Sequence, residues 1–340
     1  MKRFLFSSGL CCLTVIQVAF CQSSAINRNR FFNDTSIWNA TIVAKMANLF
    51  HSHQREFTFY GNFIATLPDG TQVNERVQLT KRGHSRGELC YVPPLLIKFN
   101  YKDSAALGTL KTLKLVSECK IPEDQLLLKE FLIYKMYNLI DKKSFRVRLV
   151  KMNFQDSAGK SKTVSEYAFL LEDVKDLAKR NNCTEFRGRL NQEFVDRHQM
   201  TIVALFQYMI GNTDWGVSVD HNIRLLSDKK DSTKKPYAVP YDFDFSGLVN
   251  AYYALPDDRL GIESVTQRVY RGYSRTMPEL QEALDTFRLK KNEIYSLIKE
   301  FGLLTPKTKR EMTDYLDDFF KLIQDPQGIK QTFITGALKD

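Results

Sequence analysis

The sequence contains no Cys-x-x-Cys pair and no spacing of histidine and cysteine that would argue for a zinc site. It also has no lysine- and arginine-rich tract interleaved with aromatic residues, so a nucleic-acid reader is not favoured. What remains is a chain of 340 residues, 43% hydrophobic and 12% aromatic, enough for one large domain or two lobes. A net charge of +10 usually means a solvated surface, and it also suits anionic ligands such as nucleotides.

Residues 1–21 have the pattern of an export signal. Lys2 and Arg3 give a positive start, and the mostly apolar stretch that follows is too short to span a bilayer comfortably. Small residues at the −3 and −1 positions predict cleavage before Gln22. We therefore expect an exported protein (secreted, periplasmic or cell-surface) with no transmembrane segment after signal removal. A lipoprotein acylated at Cys21 and a buried N-terminal helix are the alternatives.

Cysteine usage beyond the signal is sparse. Cys90, Cys119 and Cys183 allow at most one internal disulfide. In an oxidising compartment the candidate pair is Cys90 with Cys119. Buried free thiols are the alternative.

The strongest chemical signal lies in residues 202–247. A buried helix leads into a polar loop that carries Asp214 and Asn222, and a later strand carries Asp242 and Asp244. Because strand side chains alternate, these two acids are expected on one face, where a cation or hydrogen-bond donors must hold them. A base-like Asp, a metal-binding Asn and a metal-binding Asp are the groups of kinase-like phosphoryl transfer. An ordinary strand pair with loop acids is the alternative.

A phosphate-binding surface is indicated earlier in the chain. A cationic, donor-rich loop follows a predicted hairpin and could wrap phosphates, although a solvated hairpin loop fits equally well. Two strands then carry one lysine each, Lys98 and Lys114, and Glu130 lies on the next helix where it could pair with a strand lysine. The loop residues are Arg82, Gly83, His84, Ser85 and Arg86.

Hydrophobic periodicity predicts strands in the first half of the chain and mostly helices after residue 173. The first element predicted is a helix over residues 36–50, with Ile37 near its apolar face. Later, a loop with Arg268, Arg271 and Arg275 could receive an acidic or phosphorylated substrate, unless it is a plain exposed loop. The predicted strands cover residues 55–67, 71–80, 95–99, 112–116, 144–153, 164–171, 223–226 and 237–245, and the later helices cover 125–140, 192–210, 277–301 and 307–324.

Three motifs in order resemble CotH-type atypical kinases, the spore-coat kinase family and its exported relatives. Residues 82–86 with 93–99 are similar to that family's RGNS…KF segment. Residues 211–226 look like its N-x-D-W…N-x-x-L loop, and residues 241–245 like its WD-x-D strand. The resemblance covers residues 57–320, and in this chain the loop from Asp214 to Asn222 is longer than the family's.

The resemblance implies an α+β, two-lobed protein-kinase-like fold. Residues 22–56 would form an N-terminal extension after the signal peptide. Residues 57–172 would form a strand-rich, nucleotide-binding N-lobe with one helix, and residues 173–340 a mostly helical C-lobe with the catalytic loop and the metal-binding strand.

The resemblance also implies ATP with Mg²⁺ or Mn²⁺ as cofactors and phosphate transfer to a Ser/Thr hydroxyl of a protein substrate. Asp214 would be the catalytic Asp, Asn222 and Asp242 would hold the metal, and Asp244 is a second candidate ligand. The cationic loop would cover the nucleotide, either strand lysine would contact phosphates, and Glu130 would pair with that lysine. The alternatives are an inactive pseudokinase that acts as an exported structural or binding protein, transfer of AMP, and an aspartate-dependent phosphatase.

Overall fold

The computed structural model describes residues 27–51, 57–67, 70–83, 90–99, 107–119 and 125–338. The predicted signal peptide lies outside the described residues, as do three residues of the cationic loop, His84, Ser85 and Arg86.

Seven strands close into a barrel in the order β1-β2-β3-β4-β5-β7-β6. The strands are β1 (Trp38–Ala44), β2 (Thr58–Thr66), β3 (Gln72–Lys81), β4 (Leu95–Phe99), β5 (Thr112–Ser117), β6 (Val147–Asp156) and β7 (Val164–Leu171). Neighbours are antiparallel except β1 and β6, whose parallel pairing closes the barrel. Alternate side chains such as Ile42, Phe63 and Ile97 fill the interior and are fully buried, so the period-two pattern of the strands becomes one common core.

The barrel corrects the predicted fold. The motifs predict a two-lobed protein-kinase-like fold, and that prediction is wrong, because the chain forms a closed seven-stranded barrel with a separate three-stranded sheet and helices. Closure depends on β1, which comes from the predicted extension and pairs with β2 on one side and β6 on the other. Without β1 the other six strands would leave two edges with unpaired backbone groups, so this strand determines the architecture.

The predicted helix over residues 36–50 is wrong over its first part, where the burial pattern has period two, and only its end coincides with a helix. Trp38, Ala40 and Ile42 are buried at alternate positions of β1, whereas Ile37 is 40% exposed. Short helices flank the strand, α1 (Arg28–Asn33) before it and α2 (Met46–His51) after it.

The rest of the described chain combines helices with a second sheet of strand order β10-β9-β8. Its strands are β8 (Cys183–Phe186), β9 (Ile223–Asp228) and β10 (Tyr237–Pro240). The helices are α3 (Leu126–Ile140), α4 (Val174–Arg180), α5 (Arg197–Met209), α6 (Met277–Lys299), α7 (Pro306–Leu322) and α8 (Pro326–Lys330). The segment between α5 and α6 contains strands, turns and irregular chain, in a part of the sequence that was predicted to be mostly helical. None of the described helices combines the length and apolar character that crossing a membrane requires.

The strands β6 and β7 belong to two hydrophobic cores at once. Val150 and Met152 face the barrel interior, whereas Val147 and Leu149 join the larger core built by the helices. The helix α3 packs against the outer face of these strands. The barrel and the helical part therefore share a wall, and the outer face of the barrel lies beside the helices.

A buried carboxylate fixes this wall to the helical part. Glu172, at the end of β7, is fully buried and accepts from Arg146 at 2.6 Å and from Arg180 at 3.0 Å. Removing one partner of such a buried pair costs about 3–5 kcal/mol because the other charge is left uncompensated. The junction at the predicted boundary near residue 173 is thus tied by ion pairs.

Among the described residues, the cysteines form one disulfide and leave one free thiol. Cys90 and Cys119 form a disulfide across a Cα–Cα distance of 4.5 Å, and Cys183 is a buried free thiol. The predicted pair is confirmed, and it ties the segment before β4 to the segment after β5.

Candidate functional site

The loop that carries Asp214 begins at the end of α5. Gly211 has φ +66°, and a Cβ at this position would run into the Tyr315 hydroxyl, so glycine is required. The next residue, Asn212, is 1% exposed and holds the turn. Its side chain donates to Gln207 Oε1 at 3.1 Å and accepts from the Asp214 backbone N–H at 3.0 Å. The helix end therefore fixes the direction in which Asp214 leaves it.

The Asp214 carboxylate is held by two neighbours because the loop folds back on itself. Gly216 and His221 exchange both backbone hydrogen bonds, at 2.9 and 3.0 Å. His221 Nε2 then lies 2.7 Å from Asp214 Oδ1. Asn222 Nδ2 donates to Asp214 Oδ2 at 2.9 Å and to the Asp214 carbonyl at 2.8 Å. The extra length of this loop forms a tight turn, and Asn222 still reaches Asp214.

The segments carrying Asn222 and Asp242 meet at one end of the small sheet. The antiparallel register of β9 and β10 pairs Ile223 with Pro240, and the Tyr241 N–H donates to the Asn222 carbonyl at 3.0 Å. Asn222 and Asp242 both have positive φ, +52° and +63°. Such backbone costs about 1–3 kcal/mol and clusters at functional sites, so this sheet end is a good candidate.

The two acids predicted to share one strand face lie in different environments. The predicted strand over residues 237–245 ends at Pro240, because the positive φ of Asp242 breaks the alternation. Asp242 is exposed, and its backbone N–H donates to the Tyr134 hydroxyl at 2.9 Å. Asp244 is 6% exposed and accepts from the Tyr253 hydroxyl at 3.0 Å. Of these two acids, Asp242 is therefore the one that offers an exposed carboxylate.

Arg82 and Lys114 bring positive charge to the same region from the barrel. Burial lowers the pKa of Lys114, and the charge of Arg82 lowers it further. Burial raises the pKa of the Tyr134 hydroxyl well above its usual range, the charges of Glu130 and Asp242 raise it further, and Arg82 opposes them. The tyrosine hydroxyl thus lies within the fields of two carboxylates and one guanidinium. Gly83, next to Arg82, is exposed.

The two candidate lysines differ in exposure. Lys98 and Lys114 lie on the outer face of the barrel, because β4 and β5 pair Leu96 with Lys114 and Lys98 with Thr112. Lys98 is exposed and Lys114 is half-buried beside the helical part. Within the described part of the chain, neither lysine forms an ion pair with Glu130, which is 1% exposed on α3. The geometry favours Lys114 over Lys98 as the lysine that faces the site.

The donors around Asn222 fit a hard divalent cation bound mainly by oxygen. Among the described residues no three or more His, Cys, Asp or Glu side chains cluster as a metal site. Mg²⁺ is often held by only one or two carboxylates together with substrate phosphates and water. Because the Asn222 Nδ2 donates twice to Asp214, its Oδ1 is the atom left to act as a ligand. Asn222 Oδ1 and the Asp242 carboxylate are the candidate ligands.

A cleft of about 420 Å³ borders Asp214 and His221. Its other walls include Phe245, Leu255 and Arg259. Asp214 therefore connects this cleft to the sheet end that carries Asn222.

The predicted basic loop is not a cationic surface. Arg268 lies over the Tyr315 ring at 3.8 Å, and Arg275 is 4% exposed. Arg271 donates to the backbone carbonyl of Trp215 at 2.8 Å and also to the backbone carbonyl of Thr213. These arginines brace the Asp214 loop and the helices.

Sequence reasoning found the acids and Asn222 but missed the residues that hold them. His221 had a detectable signal, since it directly precedes Asn222 in the same loop. Tyr134 and Tyr253 had none, because they reach Asp242 and Asp244 only through tertiary packing.

Comparison of the chain with protein-family models, with curated proteins and with solved structures gives no match in any of the three. The resemblance to CotH-type kinases therefore rests on the motifs alone and stays a prediction.

Proposed function

We propose that this protein is an exported, ATP- and divalent-metal-dependent kinase that transfers phosphate to a Ser/Thr hydroxyl of a protein. The observation that carries the proposal is the juxtaposition of Asp214, Asn222 and Asp242. Two hydrogen bonds join Asn222 to Asp214, and the sheet register brings Asn222 beside Asp242. These are the base and metal-ligand types that phosphoryl transfer needs, and they come from three separate stretches of sequence.

Asp214 is suited to orient the acceptor and to take its proton. An ionised carboxylate only accepts hydrogen bonds, so His221 and Asn222 act as its donors. They fix the orientation of the carboxylate, and the side chain is still 36% exposed beside the cleft. In the proposed step the acceptor oxygen bonds to the γ-phosphorus while the bond from that phosphorus to the β,γ-bridging oxygen breaks. ADP leaves with the electron pair, and the hydroxyl proton passes to Asp214.

The remaining groups would neutralise phosphate charge. A divalent cation supplies charge neutralisation and orients the phosphates when it is bound. Asn222 Oδ1 and the Asp242 carboxylate would hold it, with Asp244 as a more buried second candidate. Lys114 and Arg82 contribute positive charge from the barrel side, and partial burial strengthens the interaction of Lys114 with an anion.

A binding protein that uses this site without turnover is the second candidate. It is favoured by one observation, that a closed seven-stranded barrel stands where an active kinase of the predicted family would have a two-lobed fold. The catalytic proposal and this one differ in the fate of ATP, so one experiment separates them.

Export is part of the proposal. The bond between Cys90 and Cys119 supports it, because disulfides persist in oxidising compartments and are rare in the cytosol. A chain with the predicted signal of residues 1–21 would be delivered to such a compartment.

The test is intact-mass spectrometry of residues 22–340 after incubation with ATP and Mn²⁺, together with a library of Ser/Thr peptides. Asp214→Asn keeps the size of the side chain and removes the base, so transfer should fall about 100-fold or more. Asp220→Asn is the matched control, because Asp220 lies in the same loop but pairs with Arg224 at 3.2 Å.

Phosphate gain with the wild type and the control, but not with Asp214→Asn, is the expected result. Gain of one AMP mass would replace phosphate transfer by nucleotide transfer. A rise in Tm with ATP and Mn²⁺ but no modified product would favour the binding protein, and equal activity of Asp214→Asn would overturn the proposed role of Asp214.

A further inference from the structure

The cleft beside Asp214 has apolar walls that are unusually open to solvent. Leu255 is 78% exposed and Val219 is 67% exposed, and both line this one cleft. Exposed apolar residues are common singly, but two of them from separate segments that line one cleft beside a candidate base indicate a binding surface. Phe245 and Pro256 add further apolar lining.

The segment that presents Leu255 is held in place. The Ala254 N–H donates to the Ala251 carbonyl at 2.9 Å just before it. Just after it, Asp257 caps a short 3-10 turn by accepting from the Arg259 N–H at 3.0 Å. Pro256 restricts the backbone between these two anchors. The exposure of Leu255 is therefore a fixed feature of the wall.

The charged groups of the cleft each have a partner within the chain. Arg259 pairs with Asp257 at 2.5 Å, and Arg271 donates to the Trp215 carbonyl. The lining thus carries two guanidiniums and two carboxylates, one of which is Asp214. An acidic ligand would have to displace Asp257 from Arg259, so charge alone does not select the ligand.

We propose that this cleft seats the phosphate acceptor, and that the acceptor is an extended peptide segment with an apolar side chain next to its Ser or Thr. The hydroxyl would reach Asp214 while the neighbouring apolar side chain packs between Leu255 and Val219. A volume of about 420 Å³ suits a short segment of this kind. The inference rests on the proposed function and adds the class of substrate that it uses.

The test compares Leu255→Asp with Leu289→Asp in the full chain. Leu289 is 79% exposed on α6 and does not line the cleft, so it matches Leu255 in exposure and chemistry. The substrates are Ser-centred peptides in which each flanking position is apolar, acidic, basic or glycine. The readouts are kcat/KM for phosphate incorporation with ATP and Mn²⁺, and the ATP-dependent rise in Tm as the check of folding.

We expect the wild type to prefer an apolar flanking residue, and Leu255→Asp to lower kcat/KM for that peptide about 10- to 100-fold through KM. Leu289→Asp should match the wild type. Phosphorylation with no flanking preference, a preference for acidic flanks, or an unchanged Leu255→Asp would overturn the substrate class and leave the kinase standing. Failure of the wild type to phosphorylate any peptide or protein would overturn the kinase and this inference with it.

Discussion

Replacing Asn222 tests whether its two hydrogen bonds to Asp214 hold the site together. Asn222 is 7% exposed, so water cannot easily replace the lost partner. Its bond to the Asp214 carboxylate involves a charged acceptor, worth about 1.5–3 kcal/mol, and its bond to the Asp214 carbonyl is neutral, worth about 0.5–1.5 kcal/mol. Asn222→Gly should therefore lower the free energy of unfolding by about 2–4.5 kcal/mol.

The backbone at this position adds a second, separable effect. Asn222 has φ +52°, where glycine is unstrained and alanine costs about 1–2 kcal/mol. Alanine recovers part of this because it restricts the unfolded chain more than glycine does. Asn222→Ala should thus be less stable than Asn222→Gly by about 1 kcal/mol, after the same loss of hydrogen bonds.

The assay is urea unfolding followed by tryptophan fluorescence. Trp215 is a suitable probe, because its indole N–H donates to the Asn212 carbonyl at 3.1 Å in the same loop. Asn250 is the matched control, since it has φ +51° and is exposed. Asn250→Ala should also be less stable than Asn250→Gly by about 1 kcal/mol. Neither substitution at position 250 should show the larger loss of stability that we attribute to the two hydrogen bonds of Asn222.

A result in which Asn222→Gly unfolds within about 0.5 kcal/mol of the wild type would refute the argument, because the two hydrogen bonds would then contribute little. If alanine were as stable as glycine at position 222 but not at 250, the assignment of the positive φ to Asn222 would be wrong.

Two further predictions concern buried carboxylates. Glu172→Ala should lower the free energy of unfolding in urea by about 3–5 kcal/mol, because it leaves two arginines without their buried partner. The control is Glu185→Ala, which removes an exposed ion pair and should cost under about 1 kcal/mol in the same assay. Burial and then the charge of Glu118 raise the pKa of Glu166 from 4.5 to about 8. The folded state therefore binds more protons than the unfolded state between these values, and its stability falls as pH rises through this window. Glu166→Gln should match the wild type near pH 5 and become more stable than the wild type as the pH rises to 9, by about 1.4 kcal/mol for each unit by which the pKa of Glu166 is raised.

Equal effects of Glu172→Ala and Glu185→Ala would contradict the buried ion pairs at the end of β7. A constant difference between Glu166→Gln and the wild type from pH 5 to pH 9 would contradict the raised pKa of Glu166.

Local patterns predicted most of the strands, and long-range pairing decided the fold. The predicted strands over residues 95–99 and 164–171 coincide with β4 and β7, because their alternation is complete within the segment. The helix that became β1 was ambiguous, since its apolar positions also fit a helical face. Only the partners on β2 and β6 resolve that ambiguity, and they are far away in sequence.

The site was predictable to the extent that its residues lie close together in sequence. Asp214 and Asn222 share one loop, so their chemistry could be inferred from residue types and spacing. The placement of Asp242 and Asp244 on one strand face failed, because a positive φ at Asp242 ends the strand. Residue type permits that backbone for Asp but does not require it.

The candidate metal ligand Asp242 contacts the barrel through the helix α3. The Asp242 N–H is bonded to the Tyr134 hydroxyl, and Tyr134 belongs to the helix that packs on the outer face of β6 and β7. The same barrel carries Lys114 and Arg82, which supply the positive charge. Asp242 on the helical side and the cations on the barrel side are therefore attached to the same wall, so a phosphate bound between them would meet groups that the fold already holds in place. Such preorganisation is what electrostatic stabilisation of a transferring phosphoryl group requires, because groups already in place do not have to be ordered during the reaction.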